Sequence, residues 1–300
     1  MNQYYRIAGH LFRVTGEDVE AIKYISVFAP FVADGLVETS SVVPEFTLRL
    51  LEEGREAHAF FTPGSDEEKS LYTFGFDDVH CSFSRISTKG YAFCMVTADK
   101  EALTMYSFPD RQECLITGHK SSRLLLFALW MAYGVMVAAC HTVAVHASAI
   151  IFRNKAVLCL GESGTGKSTH TRLWREHIAG AELLNDDSPI LTIIHGKPYV
   201  YGSPWSGKTP CYRPECEELV AAVRLSQAPY NRMRRLSALE ALGAVYPSCP
   251  PALVRDAGLS GKICQLLSDT LSCIPVYHLA CLPDAEAARL SFETIFGTEK

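Results

Sequence analysis

Positive charge is in short supply in this chain: 28 Lys and Arg face 33 Asp and Glu, for a formal net charge of −5 at pH 7. Binding nucleic acid without regard to sequence takes a basic field that displaces counterions from phosphates, so nucleic acid is not an expected partner. Also missing are the cysteine patterns of metal and redox sites. The 11 Cys are odd in number and scattered singly, none in a Cys-x-x-Cys pair, and the closest two, Cys211 and Cys216, have no second pair at zinc-site spacing. Cys140, Cys159, Cys273 and Cys281 stand in apolar runs, where a thiol behaves as a small hydrophobe, so reduced thiols are expected. The opening residues Met1-Asn2-Gln3-Tyr4-Tyr5-Arg6 lack the charged and then apolar stretches of a secretory signal. The cytoplasm, which supplies ATP and Mg²⁺, is the expected compartment. Internal repeats and low-complexity tracts are absent as well.

What is present is a chain of 300 residues, 48% of them hydrophobic, which is enough to bury a sizeable core. The uncharged run 124–140 could pass for a membrane span on hydropathy alone. It falls slightly short of the roughly 20 residues that a bilayer core requires, and His141 and His146 follow directly. A buried central helix is the reading adopted, with no membrane span.

Up to about residue 120 the pattern is of short strands rich in aromatic and β-branched residues, at 11–14, 46–50, 59–61, 71–74, 81–86, 92–96 and 103–106. This predicts an antiparallel β-rich lobe over 1–120, and a catalytic domain over 121–300. His10, His58, His80 and His119 are isolated in sequence and read as surface or core residues.

The second region holds Gly161-Glu162-Ser163-Gly164-Thr165-Gly166-Lys167-Ser168, the pattern Gly-x-x-x-x-Gly-Lys-[Ser/Thr] of a phosphate-binding loop. Its glycines permit a tight turn whose N–H groups converge on phosphate oxygens. Its lysine neutralises the outer phosphates, and its serine hydroxyl can ligate Mg²⁺. The apolar run 156–160 supplies the preceding strand, and 168–176 reads as a helix whose N-terminus favours anions. The residues 143–152 and 156–160, around Arg153-Asn154-Lys155, read as a β-hairpin entering the loop. A nucleoside triphosphate is the expected ligand, held by Gly161, Ser163, Gly164, Thr165, Gly166, Lys167, Ser168 and Thr169.

Asp186-Asp187 follows the loop lysine by about one helix and a return strand, so a carboxylate there can reach the Mg²⁺ held by Ser168. Adjacent side chains on extended backbone point opposite ways. One Asp can serve the metal and the other can accept the proton of an attacking hydroxyl, and either can do either. His146 is placed on the strand antiparallel to the one entering the loop, to face the phosphates or to sit hydrogen-bonded in the core. Gly202-Ser203-Pro204-Trp205-Ser206-Gly207-Lys208-Thr209 also fits the bare loop pattern, yet Pro210 and Pro214 follow and no amphipathic helix opens there. It is read as a turn-rich loop, with Lys208 a candidate phosphate or substrate contact. Arg232, Arg234 and Arg235 are candidate cations for a transferred phosphate. Further on, Ser237 with Glu240 predicts a capping box opening a helix through Ala244, 274–279 a strand, and 284–296 a closing helix stopped by Gly297.

Val145-His146-Ala147-Ser148, the hairpin, the Gly161 to Ser168 loop and Asp186-Asp187 together resemble the catalytic domain of HPr kinase/phosphorylase. The loop and Asp pair are also similar to those of ATP-dependent phosphoenolpyruvate carboxykinases. The likeness spans roughly residues 140 to 290. It implies an α/β (α+β) fold with a mixed-sheet, carboxykinase-like nucleotide core, and an ATP- and Mg²⁺-dependent serine kinase. In that reading Lys167 and Ser168 hold the β/γ-phosphates and Mg²⁺. Asp186 and Asp187 supply the metal contact and the base, His146 stands near the reacting phosphate, and Arg232 or Arg235 matches the family's arginine. The family's glutamate-and-glycine signature is replaced here by residues 200–208. The implied acceptor is a serine-bearing protein, a peptide or a small molecule. A nucleotide-sensing module without turnover and a carboxykinase-like enzyme are the alternatives, and the oligomeric state is open, a homo-oligomer included.

Overall fold

A computed structural model describes residues 2–23, 25–33, 35, 43–52, 69–87 and 90–297. The chain divides into two units, one made of residues 1–140 and 251–260, the other of 141–250 and 261–300.

The first unit is built on an eight-stranded sheet. Its strands are β1 (Asn2–Ile7), β2 (His10–Gly16), β3 (Phe46–Leu50), β4 (Lys69–Phe76), β5 (Val79–Ser87), β6 (Gly90–Thr97), β7 (Ala102–Phe108) and β8 (Glu113–Gly118), in the order β1-β2-β3-β8-β7-β6-β5-β4. Six of the seven strands read from sequence fall within these elements, and 59–61 lies outside the described residues. The sheet is not wholly antiparallel as expected: β3 runs parallel to both β2 and β8. The connection between β2 and β3 is long enough to cross over, carrying helical turns at Glu20–Lys23 and Ser26–Phe31, which a parallel pair requires.

Helix α1 (Ser122–Val137) is the run that could pass for a membrane span. Ser121 caps it, and it packs on β6 and β7 within this unit with Leu125, Leu129, Tyr133 and Val137 buried. It is apolar nearly all round because it lies in the core. Nearby, the carboxylate of Asp256, almost wholly buried, bonds Arg85 and the Tyr91 hydroxyl and accepts the N–H groups of Gly258 and Leu259.

The second unit holds β9 (Thr142–Ala144), β10 (Ala147–Phe152), β11 (Lys155–Leu160), α2 (Lys167–His177), β12 (Glu182–Asp187), β13 (Ile190–Ile194), β14 (Lys197–Tyr201), β15 (Cys216–Gln227), β16 (Arg232–Arg235), α3 (Ala238–Val245), α4 (Ala257–Cys273), β17 (Val276–Cys281) and α5 (Ala285–Phe296); the first residues of α4 belong to the first unit. Its sheet is mixed, in the order β12-β10-β11-β15-β14-β13-β9, with β17 pairing β15 and β16. Two tight hairpins shape it. Arg153 and Asn154 (φ 48° and 61°) turn β10 into β11, and His195 and Gly196 (φ 50° and 77°) turn β13 into β14; positive φ at both central residues suits the right-handed strand twist.

The expected single strand 143–152 is two. β9 pairs with β13 while β10 pairs with β11 and β12, and the break falls at Val145-His146. Their N–H groups leave the ladder and donate to the carbonyls of Pro189 (3.0 Å) and Ser248 (2.7 Å). On one face of the sheet α2 and α5 pack through Trp174, Phe292 and Phe296 onto Phe152, Val157, Cys159 and Val223. No disulfide forms among the described residues. Cys159 is buried as expected, whereas Cys140, beyond the end of α1, and Cys273, the last residue of α4, are exposed.

Candidate functional site

β11 ends at Leu160 and α2 starts at Lys167, so the loop between them is six residues long and tightly turned. Gly161 has φ +151°, and a Cβ there would sit 2.4 Å from Thr165 Oγ1; no side chain larger than hydrogen fits. Thr165 Oγ1 in turn donates to the Glu162 carbonyl at 2.8 Å. Gly166 precedes α2 in the left-handed region, and no side chain caps the first turn of the helix. The uncapped N–H groups of that turn suit an anion.

Lys167 is buried under the loop, and its ammonium donates to the carbonyls of Gly161 (2.8 Å) and Glu162 (3.2 Å) and to His146 Nε2 (3.0 Å). Desolvation lowers its pKa, opposed by the charges of Asp187 and Asp186. With Nε2 accepting, the proton of His146 sits on Nδ1, which lies 3.1 Å from Asp187 Oδ1. Lys167 Nζ and Asp187 Oδ1 thus stand at the two ring nitrogens of His146, 3.0 and 3.1 Å away, in one line of polar contacts. His146 reaches it from the break between β9 and β10, not from within a strand as expected, and its side chain is half-exposed.

Asp186 and Asp187 close β12, and the pairing Ser148↔Asp186 puts Ser148 beside the first carboxylate. Asp186 is 2% exposed. Its Oδ1 accepts the hydroxyls of Ser148 and, at 2.9 Å, of Ser168; its Oδ2 accepts the N–H of Thr209 at 3.1 Å. The two acids thus differ in surroundings: Asp186 is wrapped by donors next to the loop serine, and Asp187 stands half-exposed beside His146. Asp187 also has φ +142°, a conformation that costs a non-glycine residue about 1–3 kcal/mol. An isolated bridge to Ser206 holds it there.

The loop 202–210 backs this corner. Asn185, fully buried, donates to the carbonyls of Ser203 and Trp205 and accepts from the Ser188 N–H at 2.9 Å. The Gly207 N–H donates to the Asp186 carbonyl, and no helix follows Lys208. Ser163, Gly164, Gly166, Lys167, Ser168, Thr169, His146, Ser148, Asp186, Asp187, Gly207 and Lys208 line one cavity of about 280 Å³. A second cavity of about 560 Å³ shares Gly164, Gly166 and Thr169 with it and continues over His170, Leu173, Ala228, Cys281, Leu282 and Pro283.

Of the residues expected from sequence, the loop, Thr169, His146, both Asp and Lys208 come together. Arg232 and Arg235 do not: they lie exposed on β16, opposite Ala280 and Tyr277, and line neither cavity. Arg224 on β15 lies nearer the loop, opposite Leu160, with its Nη2 3.6 Å from Glu162 Oε1 and its Nη1 donating to the Ala244 carbonyl at 3.1 Å. Arg224, Ser148 and Asn185 were not anticipated, because their roles depend on pairings that skip along the sequence. In chemical terms the corner offers hard oxygen donors, buried cationic charge and one accessible carboxylate.

No protein-family model matches this chain, and no curated protein does. Among solved structures, it is similar to the Hpr(Ser) kinase/phosphatase from Coxiella burnetii, at 14% sequence identity over 51% of this chain and 92% of that one, with a TM-score of 0.28.

Proposed function

We propose that this protein is a kinase of carboxykinase-like core that moves the γ-phosphate of ATP, with Mg²⁺, to the serine hydroxyl of a protein, a peptide or a small molecule in the cytoplasm. The observation that carries the reading is the meeting of Ser168 and Asp186 at 2.9 Å at the N-terminus of α2. A carboxylate buried beside two hydroxyls is the donor set a hard divalent cation selects, so Ser168 and Asp186 would hold Mg²⁺, leaving Asp187 for the proton. That ion, when bound, neutralises charge building on the phosphate oxygens.

The chain's own groups do the rest. The N–H groups of the loop and of the first turn of α2 bind the phosphates, and Lys167 adds charge beneath them. The larger cavity is of a size for a nucleoside, with Leu173, Ala228 and Leu282 against the base. Asp187, open to the smaller cavity, accepts the proton of the acceptor hydroxyl, and His146 orients its carboxylate through Nδ1.

Incubation with γ-labelled ATP, Mg²⁺ and serine-bearing acceptors, free serine included, tests this directly. Transfer of label to a serine oxygen is expected, lost in Lys167→Ala and reduced roughly 10²–10⁴-fold in Asp187→Asn with ATP binding retained. Tight ATP binding with no transfer to any acceptor, unchanged by Asp187→Asn, would sink the kinase reading in favour of a nucleotide-sensing module.

A further inference from the structure

The second Gly-x-x-x-x-Gly-Lys-Thr segment is left without a task once the first is taken as the nucleotide loop. Its backbone is nonetheless tightly fixed. The Gly207 N–H donates to the Asp186 carbonyl and the Thr209 N–H to Asp186 Oδ2, so the residues on both sides of Lys208 hang from one aspartate. A Cβ on Gly207 would lie 2.9 Å from the Asp186 carbonyl oxygen and 3.1 Å from Asp187 Cβ. Upstream, Ser203 Oγ donates to the Ser188 carbonyl at 2.7 Å, and Asn185 holds Trp205. Lys208 itself is exposed, lines the 280 Å³ cavity, and forms no ion pair among the described residues.

Its counterpart is differently placed. All three N–H donors of Lys167 are used inside the protein, on Gly161, Glu162 and His146. Lys208 is therefore the lysine in this cavity with donors to spare, and its neighbours Gly207 and Thr209 place it on the side of the aspartates. A long, strongly hydrated side chain on a pinned backbone adds little to folding, and its position suits an anion brought into the cavity.

Resting on the kinase reading above, we propose that Lys208 binds the transferring phosphoryl group from the acceptor side, drawing closer as transfer proceeds. In that step the acceptor oxygen forms a bond to phosphorus while the bond from phosphorus to the bridging oxygen breaks. The nucleoside diphosphate leaves with that electron pair, and the hydroxyl proton passes to the Asp187 carboxylate. Lys208 transfers no proton; it neutralises the non-bridging oxygens, an interaction worth most when the phosphoryl lies between donor and acceptor.

The test needs no identified acceptor. Binding of MgADP and of MgADP with aluminium fluoride, a mimic of the phosphoryl in flight, is measured by calorimetry for wild type, Lys208→Ala and Lys208→Arg. Lys208→Ala is expected to bind MgADP as wild type does and to lose roughly 10–100-fold in affinity for the fluoride complex, with Lys208→Arg in between. Equal losses for both complexes, or none for either, overturn the role of Lys208 and leave nucleotide binding standing. A wild-type protein that binds neither complex removes the kinase reading, and this one with it.

Discussion

Ser168, at the start of α2, donates its hydroxyl to Asp186, at the end of β12, across 2.9 Å. The contact joins the two halves of the candidate site, the phosphate loop on one strand and the acid pair on another. It exists because β12 does not pair with β11, which precedes the loop, but lies on the far side of β10. That arrangement brings Asp186 opposite Ser148, whose hydroxyl shares the same carboxylate oxygen.

If Asp186 holds Mg²⁺ as proposed, Ser148, bonded to its Oδ1, acts on the metal site rather than on the nucleotide. Replacing it with Ala frees Asp186 Oδ1 to turn while leaving the loop and Lys167 untouched. The expected outcome is a fall in Mg²⁺ affinity of roughly 10–100-fold, read by Mg²⁺ titration of nucleotide binding, with little change in binding of metal-free ATP. An unaltered Mg²⁺ dependence would remove Ser148 from the site.

Gly207 has no room for a side chain, yet its backbone is not in the left-handed region, so the constraint is contact with the aspartates and not conformation. Gly207→Ala must push the loop away from Asp186 and Asp187, disturbing the bridge that holds Asp187 at its positive φ. Because the loop is at the surface, the stability cost is expected to stay within about 1–3 kcal/mol in urea unfolding, the range of an overpacked contact. Serine phosphorylation should fall far more steeply. A variant with full activity would show that the packing of Gly207 does not set the acid pair.

Local signals in the sequence translated faithfully. The capping box read from Ser237 and Glu240 is formed on both sides, Asp284 caps α5 through the Ala287 N–H, and the loop, its strand and its helix lie where the glycines and apolar runs put them. What was not legible depends on distant pairing. β15 opens with Cys216-Glu217-Glu218 and does not look like a central strand, yet it joins β11, β14 and β17. Arg232 and Arg235 are apt by charge and by likeness to the family's arginine segment, but their exposed places on β16, opposite Ala280 and Tyr277, follow from a pairing with β17 that the sequence does not announce. His146 needed the break between β9 and β10, which is set by carbonyls of Pro189 and Ser248 that only the fold brings near.

The larger cavity makes its own prediction. Leu282, 39% exposed, sits on the turn between β17 and α5, where its N–H donates to Asn231 Oδ1 at 2.8 Å and Asn231 bonds Asp284. The turn is held, so Leu282→Ser changes surface chemistry without moving backbone. If the base of a nucleotide lies there, ATP affinity should drop by about 1–2 kcal/mol, the worth of one apolar side chain against a ring. Tripolyphosphate, which has no base, should bind as before. Equal losses for both ligands would place the nucleoside elsewhere.

His170 couples the site's helix to pH. It lies in the interface of α2 and α5, 3% exposed, with Nε2 3.0 Å from Ser291 Oγ and the indole N–H of Trp174 directed at the same nitrogen at 3.2 Å. Burial lowers its pKa from 6.5 to about 4, so it is neutral in the fold while the unfolded chain takes up a proton below 6.5. The unfolded state thus binds more protons between these values, and stability must rise with pH across that window. The contribution is fully present above pH 6.5, declines as pH falls, and is exhausted near pH 4, amounting to about 3 kcal/mol over the range. His170→Gln keeps a hydrogen-bonding group but no titration. Urea unfolding at pH 7, 6, 5 and 4.5 should show the gap between wild type and variant changing with pH, wild type losing more as acid is added. Parallel curves would mean that the ring stays accessible to protons in the folded helix pair.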